Sequence, residues 1–272
     1  MYPEQWLQRF TQIVGRPEDE INLAEAALVI AADEYPDLDV ARYLARLDGM
    51  AEQTRPRFSS EMPPRERIIA LNEYLFDELG FRGNRDAYYD PRNSYFNDVL
   101  DRRLGIPITL SLVYLEIGWR LGLPLGGVAM PGHFIAKWKT DDLVILIDVF
   151  EEGHIIGQFP LPQPAEARAR LSWTQSASRR QILARLLSNL RAIFLQDENH
   201  ARALLVAEKM VILQPNSPEV LRDAALFAYW QKSYRRAAEF LESYLRQFPS
   251  ARGTDQMRTY LNEVKSIVVR LN

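Results

Sequence analysis

The sequence predicts an α+β domain followed by an all-helical repeat domain. Three observations carry that expectation: helical periodicity up to Gly80, a switch to short β-rich segments beyond Gly122, and a 34-residue spacing of like residues towards the C-terminus. At 272 residues, 47% hydrophobic and 25% charged, the chain has apolar material for one large or two ordinary domains.

The elements follow in order. Asp37 is the expected N-cap of a helix whose apolar face runs Val40, Leu44, Leu47, Met50. Pro63-Pro64 opens the next, with Ile68, Leu71, Tyr74 or Leu75, and Leu79 as its stripe and Gly80 as its end. The stretch GNRDAYYDPRNS is polar and irregular, with Asp90-Pro91 as a turn signal. Ser94 then caps a short helix running through Leu104 and closed by Gly105. Pro107 suits the first turn of a helix from Ile108 to Leu121. That segment, PITLSLVYLEIGWRLG, is apolar almost all round, so it is expected to be the buried central helix of the first domain.

Beyond Gly122 the expected strands are Val128–Met130, His133–Lys139 and Leu143–Asp148, with a hairpin turn at Thr140-Asp141-Asp142. Phe159–Pro164 is Pro-rich and Thr174–Arg180 is short and polar, which together read as a linker. The expected domains are therefore residues 1–175 and 176–272.

In the second domain, Pro215 and Pro249 are 34 residues apart, as are Ala203 and Ala237, Arg202 and Arg236, Glu208 and Glu242, and Leu187 and Leu221. A helix–turn–helix period of that length resembles the tetratricopeptide repeat. Repeats are expected at 182–215 and 216–249, with an amphipathic capping helix at 254–271 carrying Met257, Tyr260, Leu261, Val264, Ile267, Val268 and Leu271. An ordinary helical bundle is the alternative.

Composition removes several function classes. The chain has no cysteine, which excludes disulfides, Cys-ligated metal and a thiol nucleophile. An all-histidine metal site would need every one of His133, His154 and His200. With 33 basic against 36 acidic side chains and a net charge of −3, nucleic acid is not an expected partner. Arg179-Arg180 and Arg235-Arg236 read as solvated faces. There is no GxGxxG, GxxxxGK[ST] or HExxH, so no cofactor is expected. The opening MYPEQWLQRF lacks the pattern of a signal peptide, and the apolar run Ala26–Ala32 is far shorter than the roughly 18 residues that span a bilayer. A cytoplasmic protein with no membrane partner is the expectation.

His133 begins one strand and Asp148 ends its partner. With the turn centred on 140–142, His133 falls opposite Asp148 or one place off, close enough for the carboxylate to orient the imidazole. That is the orienter–base half of a nucleophile–His–Asp system. The first turns of the central helix offer the hydroxyls of Thr109 and Ser111, although hydroxyls there usually cap or bond back to the helix. Asn93, Ser94 and Asn97 either line a cleft beside that helix start or cap the preceding helix. Glu116 and Arg120, at i and i+4, form either a buried ion pair or a pair at the domain surface.

The stretch from Tyr88 to Phe150, above all NSYFNDVLDRRLGIPITL and PGHF, closely resembles the transglutaminase-like core of bacterial SirB-type proteins, which join that core to tetratricopeptide repeats. The resemblance implies a papain-like, transglutaminase-like fold with a central helix on an antiparallel sheet. It also implies a regulatory role, since a SirB-type protein is linked to invasion-gene control in an enteric pathogen. Active members of the superfamily carry Cys at the start of the central helix and His and Asp on neighbouring strands. His133 and Asp148 match the last two; Pro107 stands where the thiol would be, with neither a nucleophilic atom nor an N–H. Val149 and Glu151-Glu152 also depart from the family's Asp-Pro-Phe and Gly-rich turn. The resulting expectation is a non-catalytic protein that binds a protein or peptide through a His–Asp cleft, including Asn93, Asn97 and Pro107, and a repeat groove. The alternative is a hydrolase or acyltransferase with Thr109 or Ser111 as nucleophile, His133 as base and Asp148 as orienter.

Overall fold

The computed structural model describes residues 3–161, 175–251 and 253–271; of the expected linker, residues 162–164 and 174 lie outside them. Contacts divide the chain into two compact units, Met1–Trp6 with Gly15–Leu186, and Leu7–Val14 with Leu187–Asn272.

The first unit begins its helical layer after helix α1 (Pro3–Val14) with α2 (Leu23–Ala31), capped by the Asn22 side chain, which accepts from Glu25 N at 3.0 Å. Helix α3 (Val40–Thr54) is capped by Asp39, not Asp37, because a turn closed by Leu38 N to Tyr35 O holds Asp37 outside the helix. Helix α4 (Pro64–Asn72) starts at a proline as expected, then widens into a π-helical turn, Glu73–Glu78, in which Leu79 N donates to Tyr74 O. Gly80, at φ 72°, ends it.

The expected helix from Ser94 to Leu104 is shorter. A 3₁₀ turn, Pro91–Asn93, precedes α5 (Phe96–Arg102); Tyr95 holds the cap position, and the Ser94 hydroxyl is buried without a partner. Arg103 turns left-handed and releases Leu104–Gly105 as strand β2, which pairs in parallel with β1 (Arg82–Gly83). Helix α6 (Pro107–Arg120) is buried from Pro107 to Gly118, as its all-round apolar sequence requires.

Strands β3 (Leu125–Met130), β4 (His133–Lys139), β5 (Leu143–Asp148) and β6 (His154–Pro160) form an antiparallel sheet in that order. Strand β6 is absent from the sequence reading. Phe159 and Pro160, read as linker, are its last residues; Pro160 pairs with Leu143 at the end of an outer strand of this sheet, where a missing N–H is tolerated. Direct pairing places Leu125, Trp138 and Ile145 on one face and His133, Ile135, Leu146 and Asp148 on the other. Helix α6 meets the first face through Gly118, whose missing Cβ leaves room for Leu125.

The second unit is helical: α7 (Arg179–Gln196, straddling the division), α8 (His200–Leu213), α9 (Pro218–Trp230), α10 (Tyr234–Gln247) and α11 (Thr254–Leu271). The 34-residue period is written into the backbone. Asn199 N donates to Phe194 O at 2.8 Å and Ser233 N to Ala228 O at 2.9 Å, closing equivalent turns. Their non-glycine residues in the left-handed region, Glu198 (φ 53°) and Lys232 (φ 62°), are again 34 apart. So are the helix ends Gln214 (φ −134°, ψ 59°) and Phe248 (φ −129°, ψ 57°). Ala203 and Ala237 are both fully buried where helices approach closely. The arginine pairs are not merely solvated: Arg236 Nε donates to Glu208 at 2.7 Å, and Arg180 bonds Glu18 at 2.8 Å within the first unit. No described helix is long and apolar enough to cross a membrane.

Candidate functional site

The imidazole of His133 and the carboxylate of Asp148 meet, with Nε2 2.8 Å from Oδ2. They are not directly opposed. Thr140 N bonds Leu143 O, so the turn centres between residues 141 and 142, and Asp148 falls opposite Ile135. His133 is two positions further along, on the same face and diagonal to Asp148, where a long side chain can still reach. A one-residue offset would have sent the two side chains to opposite faces. Asp148 Oδ1 accepts from Phe150 N at 3.1 Å and Glu151 N at 3.3 Å, which fixes the orientation of the carboxylate. Against an ionised Asp148, Nε2 of a neutral His133 carries the proton and donates it. Nδ1, with no protein partner among the described residues, is then free to accept.

Around this pair lies a set of contacts that the sequence reading missed. The Phe150 ring stands edge-on to Tyr88 at 6.2 Å, and the Arg85 guanidinium lies over it at 5.3 Å while pairing with Glu151. Gly83 leaves the ring its space: a Cβ there would be 2.5 Å from it. The isolated Gly83 in a polar stretch was the available signal.

Asn93 is fully buried and spends its side chain on the chain itself. Its Nδ2 donates to Ala87 O at 2.6 Å and Tyr88 O at 3.2 Å, and its Oδ1 accepts from Asn84 at 3.0 Å. Its carbonyl accepts from the Thr109 hydroxyl at 2.7 Å, and that hydroxyl in turn accepts from Ile106 N at 3.1 Å. Thr109 therefore caps α6 and ties it to the 84–93 loop. Pro107 occupies the first helical turn and is buried. Ser111 is fully buried with no partner for its hydroxyl, and neither hydroxyl is bonded to His133. Asn97 is buried with Oδ1 unpartnered.

Glu116, itself buried, forms an ion pair with the partly exposed Arg120, between the two expected placements. Glu116 Oε1 also accepts from Ala24 N at 3.0 Å, at the start of α2, and Arg120 Nε donates to Asp48 at 2.7 Å. Burial pushes the Glu116 carboxyl above its usual 4.5 despite the guanidinium. Among the described residues no three His, Asp or Glu side chains gather to hold a metal ion.

A buried helix against an antiparallel sheet, followed by stacked helix pairs, defines a transglutaminase-like core joined to tetratricopeptide repeats. The profile of the transglutaminase-like superfamily matches residues 41–188, and the tetratricopeptide-repeat profile matches residues 190–262. The chain belongs to the transglutaminase-like superfamily. It is 37% identical over 259 residues to a UPF0162 protein of Xylella fastidiosa (strain Temecula1), covering 92% of each chain. A UPF0162 protein of Vibrio cholerae is 25% identical over 251 residues, 90% of this chain and 93% of that one. A segment of 88 residues, 32% of this chain, is 45% identical to F-box only protein 21 of Homo sapiens, of which it covers 14%.

Proposed function

We propose that this is a non-catalytic, partner-binding protein of regulatory, SirB type. The His133–Asp148 cleft serves recognition, and the repeat groove takes a protein or peptide. The supporting observation is the state of the α6 N-terminus. Where the superfamily's thiol would stand there is Pro107, and the nearest hydroxyl, Thr109, is committed at both its donor and its acceptor to holding the helix start. His133 with a carboxylate-fixed tautomer remains a good hydrogen-bonding partner for a ligand without needing a nucleophile. Two domains, 1–175 and 176–272, divide these roles.

One observation favours the hydrolase reading: Ser111 keeps an unspent hydroxyl inside α6. Chromogenic acyl esters and peptide amides distinguish the two. We expect no turnover that depends on His133, and capture of cellular proteins that is weakened by Trp230→Ala, which removes an exposed aromatic of the repeats whose ring lies tilted against His200 at 5.1 Å. Turnover that falls by about a hundred-fold or more in both His133→Ala and Ser111→Ala would overturn the binding reading.

A further inference from the structure

A cavity of about 270 Å³ opens in the first unit, away from any residue of the His133–Asp148 pair's own hydrogen bonding. Helix α3 gives it Arg46, Gly49 and Met50; Leu79 and Phe81 come from the segment after the π turn, and Arg103 from the end of α5. Gln53 completes the wall, its Oε1 accepting from the Tyr74 hydroxyl at 3.0 Å.

A glycine inside a helix and two departures from regular backbone meet here. Gly49 stands inside α3, where glycine lowers helix stability, yet a Cβ at that position would have nothing within 4 Å. No neighbour demands a glycine; its effect is to leave the cavity open. The π turn Glu73–Glu78 carries the chain into Leu79 and Phe81, and such turns concentrate at functional sites. Arg103 holds φ 58° at a cap position that favours glycine or asparagine. Its exposed guanidinium makes no hydrogen bond or ion pair among the described residues, whereas Arg46 is pinned at 2.6 Å to both Asp101 Oδ1 and Leu100 O. The molecule as a whole carries net charge −3, so an unspent guanidinium at this cavity is not an overflow from a basic surface.

We propose that the cavity binds a small organic anion. A carboxylate or phosphate group meets the Arg103 fork, with Arg46 beside it, and a short apolar body lies against Met50, Leu79 and Phe81. Guanidinium recognises planar and tetrahedral oxyanions by paired hydrogen bonds, and a half-enclosed apolar wall strengthens them.

Two substitutions test this without disturbing the fold. Gly49→Leu fills the cavity from a helix position that prefers any residue to glycine. Arg103→Gly removes the guanidinium at a left-handed position that suits glycine. Calorimetric titration of the full chain with butyrate and with inorganic phosphate should show saturable binding of at least one probe, on the order of millimolar. Binding should weaken about ten-fold or more in both variants and return in part in Arg103→Lys, with the thermal midpoints of both variants at or above wild type. Butyrate alone binding assigns the site to carboxylates; phosphate alone assigns it to phosphoryl groups. The proposal fails if neither probe saturates the wild type, if the variants bind as well as wild type, or if binding is lost only together with a fall in both midpoints.

Discussion

Thr109 and Ser111 lie in the same stretch of α6 and are equally buried, but their hydroxyls meet different ends. The first closes two hydrogen bonds and the second closes none. Thr109→Val should therefore destabilise the protein by about 1–2 kcal/mol, the worth of a lost cap. Ser111→Ala, which removes an unsatisfied buried group, should be neutral or stabilising by up to about 1 kcal/mol. Urea denaturation of both variants checks the contrast, and equal losses would contradict it. Nothing in the sequence told these two apart, because the acceptor for Thr109 is the Asn93 carbonyl, contributed by a loop whose path depends on tertiary packing. Glu116 gives a pH signature at the same scale. Its folded pKa lies above the unfolded 4.5, so its contribution to stability is complete below 4.5 and is lost as pH rises through the folded value. Glu116→Gln keeps an acceptor for Ala24 N and leaves Arg120 its bond to Asp48. Melting curves across mildly acidic pH should show wild type losing ground to this variant as pH rises from 4.5.

Among the elements, the strands holding the candidate site were the most legible part of the sequence. Strands β4 and β5 have the expected bounds because a charged turn, Asp141-Asp142, interrupts two apolar runs. Their register was not legible to the residue: which two positions formed the hairpin tip depended on one backbone hydrogen bond, and the His–Asp pair survives the difference only because the shift preserves the face. Strand β6 escaped notice since a glycine and a proline within seven residues mimic a loop. The two-residue ladder of β1 and β2 is too short to leave any periodicity, yet it sets Gly83 against Phe150 and so steadies the backbone that donates to Asp148. Gly83→Ala should push the ring away, costing about 1–3 kcal/mol in denaturant unfolding and shifting the His133 imidazole resonances in NMR spectra. Unchanged His133 signals would mean the ring does not position the pair.

At the scale of the whole molecule, the repeat region was legible through spacing alone, since buried alanines and terminal prolines recur where helix pairs must repeat their packing. What spacing could not reveal is that the turns keep one geometry while their residues change. Glu198 and Lys232 occupy the left-handed position that glycine fills at lower cost. Glu198→Gly and Lys232→Gly should each raise stability by up to about 1 kcal/mol, the steric relief exceeding glycine's entropy. Calorimetry of the two single variants and the double should give additive shifts, as befits separate turns; a loss in either would show that its side chain holds the turn.

The matching torsions at Gln214 and Phe248 have a bearing on how such a chain lengthens. The backbone leaves both helix pairs with nearly the same torsions. A duplicated stretch of one period, inserted after Phe248, would thus continue the same screw, with a new buried face ready for α11 to close. Size in this half of the protein is a matter of counting turns of a staircase, and a longer relative would differ by whole steps.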